Sequence, residues 1–284
     1  MAGQDQLQRF LFEDSNVRGA LVQLDDSFQR ATREHGYPAP ITRLLGESLA
    51  ASTLMSNTLK FEGLLTLQAQ GDGPVRILVA ECTHKLGIRG LARFDDVPEQ
   101  TDLPTLIGNG RLVITLAPRQ GQRYQGIVPL ERDTLAGCLE DYFALSEQLE
   151  TFILLFADDK RAGGLLLQKL PGEAAGPDHD LWPRLLKLAE TTTADELLHL
   201  EPTTLLRRLF HQEPIRVFDP TPVEFSCSCT RDRSQNALEA LGEEECYALL
   251  EEQAEIDIDC QFCGRRYIYR RADIESLFGG PSVH

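Results

Sequence analysis

The stretch Ile41-Thr42-Arg43-Leu44-Leu45-Gly46-Glu47-Ser48-Leu49-Ala50-Ala51-Ser52-Thr53-Leu54-Met55-Ser56-Asn57-Thr58-Leu59 governs the reading of the first half of the chain. It is rich in leucine and in small residues, among them Gly46, Ala50, Ala51 and Ser52, and charge is scarce on every face. Such a segment predicts a helix from about Ile41 to Leu59 that is buried between layers instead of lying on a surface. A helix buried in this way must be covered on more than one side, so its flanks have to supply other elements.

Upstream, Val17 to Leu24 reads as a strand, followed by a helix from about Asp26 to His35 and a turn at Tyr37-Pro38-Ala39-Pro40. Downstream, strand-like runs extend over Gly63 to Gln70, Val75 to Cys82, Ile88 to Phe94, Arg111 to Ala117 and Tyr124 to Pro129. The glycine turns Gly71-Asp72-Gly73 and Gly108-Asn109-Gly110 punctuate them. A helix from about Asp133 to Leu149 and two more strands, Thr151 to Phe156 and Gly164 to Leu170, complete the set. Strands and helices do not alternate regularly, which argues against a parallel α/β protein. The expected fold class is α+β, with an N-terminal domain over residues 1–171 built on a mixed, largely antiparallel sheet.

At Pro171-Gly172-Glu173-Ala174-Ala175-Gly176-Pro177 the composition changes to breakers and small residues, a boundary signal. The linker expected over residues 172–223 holds short leucine-rich pieces, Leu181 to Leu188, Ala194 to Leu200 and Leu205 to Phe210, with Thr193 and Glu196 spaced as a capping box. Helices this short hold only when their apolar stripes are docked, so the linker is expected to be conditionally folded. Residues 224–284 form a small module with a helix around Asn236 to Glu251.

That module carries Cys227-Ser228-Cys229 and, after thirty intervening residues, Cys260-Gln261-Phe262-Cys263-Gly264. Two close pairs of thiolates can converge on one tetrahedral zinc ion at about 2.3 Å per bond. Gly264 suits a zinc-knuckle turn, because glycine takes positive φ freely. The first pair departs from the usual ribbon pattern, which has two residues between the cysteines. Tetrahedral coordination keeps sulfurs about 3.8 Å apart, whereas a disulfide needs about 2.05 Å, so oxidation and metal retention exclude one another. Structural zinc contributes on the order of 10–16 kcal/mol, which in so small a module is folding energy. One zinc per chain is therefore expected at Cys227, Cys229, Cys260 and Cys263. It is either a permanent clamp or a site that oxidation dismantles.

The chain has 284 residues, enough for about two domains. No apolar run approaches the roughly 18–20 residues of a membrane span; Phe152 to Ala157 is among the longest. Met1-Ala2-Gly3-Gln4-Asp5-Gln6 lacks the character of a signal peptide, so a cytoplasmic location without membrane contact is expected. There thiols stay reduced, and seven cysteines, an odd number, fit metal ligation better than a disulfide framework. A net charge of −16 opposes nucleic-acid binding.

Cys82 and Cys138 read as buried core residues, and Cys246, beside Glu243-Glu244-Glu245, as a bystander whose thiolate the carboxylates disfavour. His35, His84, His179, His199, His211 and His284 show neither metal-ligand spacing nor a triad context. No phosphate loop, nucleophile elbow or His-Glu-x-x-His motif is present, and no catalytic residue is assigned. Arg265, Arg266, Arg270 and Arg271 around Tyr267 and Tyr269 support a nucleic-acid-binding zinc protein as one rival reading. Against it, residues 226–284 hold six arginines and twelve carboxylates, a net of −6. A thiol–disulfide oxidoreductase is a second rival, but Cys260-Gln261-Phe262-Cys263 lacks the βαβ context of that chemistry.

The cysteine pairs, together with Asp141-Tyr142-Phe143 before Ser146-Glu147-Gln148-Leu149, Arg123-Tyr124-Gln125-Gly126, Gln70-Gly71-Asp72-Gly73-Pro74, Thr58-Leu59-Lys60-Phe61 and Gly108-Asn109-Gly110, resemble the heat shock protein 33 family over nearly the full length. The resemblance implies a cytosolic, redox-regulated holdase chaperone and not an enzyme. It implies a resting state that is reduced, zinc-bound and inactive. Oxidation with unfolding stress would join Cys227 to Cys229 and Cys260 to Cys263, release zinc and unfold the linker. The active form would be a homodimer holding unfolding client proteins.

Overall fold

The structure, a computed structural model, describes residues 5–58, 62–95, 102–172, 178 and 180–279. The chain divides into two compact units, the first ending at Ser226 and the second starting at Cys227.

In the first unit, β1 (Gln6–Phe12) and β2 (Val17–Leu24) precede α1 (Asp26–Thr32) and α2 (Ala39–Thr58). Then come β3 (Gly63–Gln70), β4 (Val75–Thr83), β5 (Gly87–Phe94), α3 (Leu103–Ile107), β6 (Arg111–Pro118), β7 (Tyr124–Pro129) and α4 (Leu135–Tyr142). After a π-helical turn, Phe143–Glu147, follow β8 (Thr151–Ala157), β9 (Ala162–Lys169), α5 (Leu181–Ala189), α6 (Ala194–His199) and α7 (Pro202–Phe210). The short strands β10 (Ile215–Val217), β11 (Thr221–Pro222) and β12 (Glu224–Phe225) end the unit.

Two six-stranded sheets result. One has the order β10-β1-β2-β9-β8 with β11 also on β1, and the other runs β12-β5-β4-β3-β6-β7. Every pairing is antiparallel except β12 with β5. The α+β expectation holds, although the strands form two sheets instead of one. Helix α2 buries fourteen of its residues, from Ile41 to Ser56, and packs against strands of both sheets. Its buried Ser48, Ser52 and Thr53 return their hydroxyls to backbone carbonyls of its own preceding turn, which lets polar side chains sit in the core.

Side-chain alternation in the first sheet explains the placement of the helical segment. On β2, Ala20, Val22 and Leu24 join the α2 core, whereas Val17 and Leu21 face the other way. Leu166 and its neighbours Leu165 and Leu167 on β9 divide likewise. The second face, with Phe10 and Phe12 of β1, is covered by Leu185, Ala189, Leu197, Leu205, Leu206, Leu209 and Phe210 of α5 to α7. A sheet with two apolar faces needs a cover on each.

Several boundaries differ from expectation. Ala39 and Pro40 open α2 instead of ending a turn, because a proline in the first helical turn loses no needed N–H. Leu59, at the expected end of that helix, lies outside the described residues, as do Lys60 and Phe61, residues 173–177, His179 and His284. The helix expected over Asp133 to Leu149 is α4, begun by the Thr134 side-chain cap, plus the π turn, which Gln148 ends at φ 55°. Strands β1 and β10 to β12 and helix α3 are additional to the elements expected from sequence.

In the second unit, α8 (Arg231–Leu241) and α9 (Glu243–Glu252) replace the one helix expected around Asn236 to Glu251. Gly242, at φ 96°, breaks them. A hairpin of β13 (Ile256–Asp259) and β14 (Arg266–Tyr269) and helix α10 (Arg271–Phe278) complete the unit. Among its described residues the buried apolar core is five side chains, Leu238, Cys246, Ile256, Tyr269 and Ile274. A core this small calls for a staple.

Candidate metal centre

The sulfurs of Cys227, Cys229, Cys260 and Cys263 all lie within 4.8 Å of one another. Cys227 Sγ is 3.7 Å from Cys260 Sγ, and Cys229 Sγ is 3.4 Å from Cys263 Sγ. Among the described residues no other group of His, Cys, Asp or Glu is arranged to hold a metal ion.

Local sequence builds both halves of the site. Cys260 to Arg265 is the loop of the β13–β14 hairpin, closed by Cys260 N–H donating to Arg265 O and Gly264 N–H donating to Cys260 O, at 2.9 and 2.8 Å. Gly264 sits at φ 66°, the positive φ that such a turn favours and that glycine takes freely. The Cys227-Ser228-Cys229 segment has no regular secondary structure and leads into α8, where Thr230 Oγ1 accepts a hydrogen bond from Arg233 N–H. The Arg233 guanidinium in turn donates to Ser228 O and Oγ at 2.9 and 2.7 Å, which fixes the loop between the two thiols.

Electrostatics show what the donor set lacks. Burial opposes the Cys229 thiolate, but Tyr267 and the three other sulfurs outweigh it and bring its pKa down to about 7. Burial pushes Cys227 and Cys263 up; all three neighbouring sulfurs add to that at Cys263, whereas at Cys227 the Cys229 and Cys260 sulfurs add to it and Cys263 opposes it. Four thiols at these separations cannot all ionise unless a cation offsets the charge. Backbone N–H groups already support the anions, Cys229 N–H toward Cys227 and Arg265 N–H toward Cys263. The Tyr267 hydroxyl is buried beside Cys229 yet lacks an aligned hydrogen bond; a charged sulfur there would supply the acceptor. Four half-buried sulfurs within 4.8 Å of one another fit a soft divalent ion and match zinc in ligand type and number.

The remaining cysteines lie elsewhere. Cys82 and Cys138 are fully buried in the α2 core, and burial raises both, Cys82 to about 12. Cys246 is buried in the core of the second unit, and its pKa is raised by burial first and Glu245 second. Of the basic cluster, Arg266 pairs with Asp257 and Asp259, Arg270 with Glu255, and Arg271 lies over Tyr247. Tyr269 is buried, its hydroxyl donating to Arg231 O at 2.9 Å, so its ring offers no stacking platform. The inward roles of Tyr267 and Tyr269 were not legible from a pattern of alternating aromatic and basic residues.

Among the described residues, no helix is long and apolar enough to cross a membrane. The family model described as Hsp33 protein matches residues 5–270. A relative named 33 kDa chaperonin from Pseudomonas fluorescens (strain Pf0-1) is 47% identical, covering 98% of this chain and 95% of its own. Another of that name, from Hahella chejuensis, is 47% identical and covers 99% of each. The crystal structure of the 33 kDa chaperonin (heat shock protein 33 homolog) from Thermotoga maritima has the same fold, with a TM-score of 0.84 at 24% identity over 96% of this chain and 97% of that one. With a family model that spans nearly its whole length and relatives of nearly half identical sequence, the chain belongs to the Hsp33 family, a family of chaperones and not of enzymes.

Proposed function

We propose that the protein is a redox-regulated holdase chaperone of the cytoplasm, inactive while reduced and zinc-bound. The observation that carries the regulatory reading is the convergence of Cys227, Cys229, Cys260 and Cys263 within 4.8 Å in a unit whose described residues bury a core of five side chains. Bound there, zinc would supply the cross-link between two segments thirty residues apart. Arg233 and the Gly264 turn would hold the ligands in place, and Tyr267 would donate to Cys229.

Peroxide or hypochlorite takes two electrons from each pair of thiolates and leaves one disulfide. Pairing Cys227 with Cys229 and Cys260 with Cys263 removes the cross-link, because each bond then closes only a local ring. The short contacts in the reduced geometry run between the pairs, from Cys227 to Cys260 and from Cys229 to Cys263. Bonds formed there would keep the two segments stapled and the module closed. Switching therefore depends on the pairing inside each motif.

Cys227 follows directly on Ser226, whose N–H donates to Ile88 O at 2.9 Å on the edge of the second sheet. Unfolding of the module frees the chain at that point, and with it the metastable segment 172–223. The three docked helices are short, and the face they cover, with Phe10, Phe12, Leu21, Leu165 and Leu167, is apolar. Uncovered, it suits the apolar segments of unfolding clients, and the active form is a homodimer. The unused alternative, a permanent zinc clamp, would leave activity independent of redox state.

The test is to oxidise the zinc-loaded chain with hypochlorite at mild heat, and to follow released zinc with a chromophoric chelator while mapping disulfides by mass spectrometry. One zinc released per chain, with bonds inside each cysteine pair, is expected. Zinc retained after complete thiol oxidation, or bonds joining the two pairs, would contradict the switch.

A further inference from the structure

Helix α6 is six residues long and cannot persist alone in water. Its N-terminal end is closed from within by the Thr193–Glu196 capping box. Its carbonyl end is closed from the sheet. Gln23 of β2 donates from Nε2 to both Leu197 O and Leu200 O, each at 2.7 Å. Arg161, just before β9, donates from Nη1 to Leu198 O at 3.2 Å, and its Nη2 pairs with Asp25 at 3.3 Å. Gly163 of β9 lies under the same helix, where a Cβ would stand 3.4 Å from Leu198 Cδ2, at ordinary contact distance.

Two features set these contacts apart from ordinary packing. The last carbonyls of any helix lack intrahelical partners, and here Leu197 and Leu198 are buried, so a donor other than water is needed. Gln23 also lies on the stripe of β2 that includes Val17 and Leu21, both in the apolar cluster under the helices. An amide on that stripe weakens apolar packing and is offset only by the two carbonyls that it binds. Arg161 is likewise held at its post by Asp25.

We propose that Gln23 and Arg161 form a polar latch on the carbonyl end of α6, and that this latch sets how readily the helical segment 181–210 leaves the sheet. The proposal rests on the reading that undocking of this segment is the activating event, and it names the local control of that step. Apolar contacts hold the helices without direction, whereas the latch holds α6 in one register. When α6 undocks, the three carbonyls pass to water and the two donors remain on the sheet.

Gln23→Glu, nearly isosteric and without a donor at pH 8, and Arg161→Met each remove part of the latch. Amide hydrogen exchange is read by mass spectrometry on the full chain, reduced and supplied with zinc. Exchange in peptides from residues 194–210 is expected to rise about tenfold in each variant, with peptides from β3 and β4 unchanged. Tryptic cleavage after Arg207 or Arg208 should rise in parallel. Unchanged exchange at 194–210 in both folded variants would overturn the latch, as would an equal rise in β3 and β4. If one variant fails to fold, the other decides. A local rise with no gain in client protection would uphold the latch and contradict the chaperone switch instead.

Discussion

Replacing Phe210 by Ala should loosen the helical segment without weakening the sheets beneath it. Phe210 is 1% exposed, with its ring centroid 5.1 Å from that of Phe12 in an edge-on contact and 6.1 Å from that of Phe10. It belongs to the cluster between α5 to α7 and the outer face of the first sheet, separate from the core around α2. Truncating a buried phenylalanine costs about 3–5 kcal/mol, and here that loss falls on docking. At about 1.4 kcal/mol per factor of ten, the undocked fraction should rise by roughly two to three and a half orders of magnitude. Hydrogen exchange of the reduced, zinc-loaded chain would show it as faster exchange throughout residues 181–210, with β3 and β4 unaffected. The same variant should suppress client aggregation while still reduced. Exchange at 181–210 close to wild type, or a uniform rise across both sheets, would refute the idea that this cluster holds a separately releasable segment.

Two further outcomes follow from the two units. Burial, only partly offset by Arg43, raises Glu47 to about 7. Between pH 4.5 and 7 the unfolded chain ionises this group and the folded one does not, so stability falls as pH rises through that interval and levels off above it. Partial exposure brings the full effect down to about 1–3 kcal/mol, and Glu47→Gln should flatten that part of the stability profile measured by urea unfolding; equal profiles would contradict it. Cys260→Ser should abolish stoichiometric zinc binding and expose residues 227–279 to protease; a full zinc complement in this variant would exclude Cys260 as a ligand.

Much of this architecture can be read from residue pattern alone. The leucine and small residues of 41–58, with little charge on any face, identify a helix sandwiched between layers, and glycine punctuation locates β3, β4 and β6 within a residue or two. The capping box at Thr193 and the positive φ of Gly264 follow from short-range chemistry, which is why local sequence reveals them. Strands β10 to β12 escape because two or three residues cannot display a period of two. Strand β1 escapes because its buried face includes Gln8, whose amide donates to Phe218 O, 210 residues away, as well as to the adjacent Arg9 O. The split between α8 and α9 turns on Gly242, which reads equally as a tolerated glycine within one helix. At the candidate site the four cysteines announce themselves by spacing. The supports, Arg233 on Ser228 and Tyr267 against Cys229, depend on the folded hairpin and on α8. The donors on α6 show the same limit, since nothing near Gln23 in sequence points to a partner at Leu197 or Leu200.

Light scattering tests the redox-regulated holdase most directly. A chemically unfolded client is diluted into buffer with the reduced, zinc-loaded protein or with protein oxidised at mild heat and freed of zinc. Suppression of aggregation by the oxidised form alone is the expected result. Equal failure of both forms, or equal protection by both, would contradict redox control and leave the four cysteines as a structural zinc site.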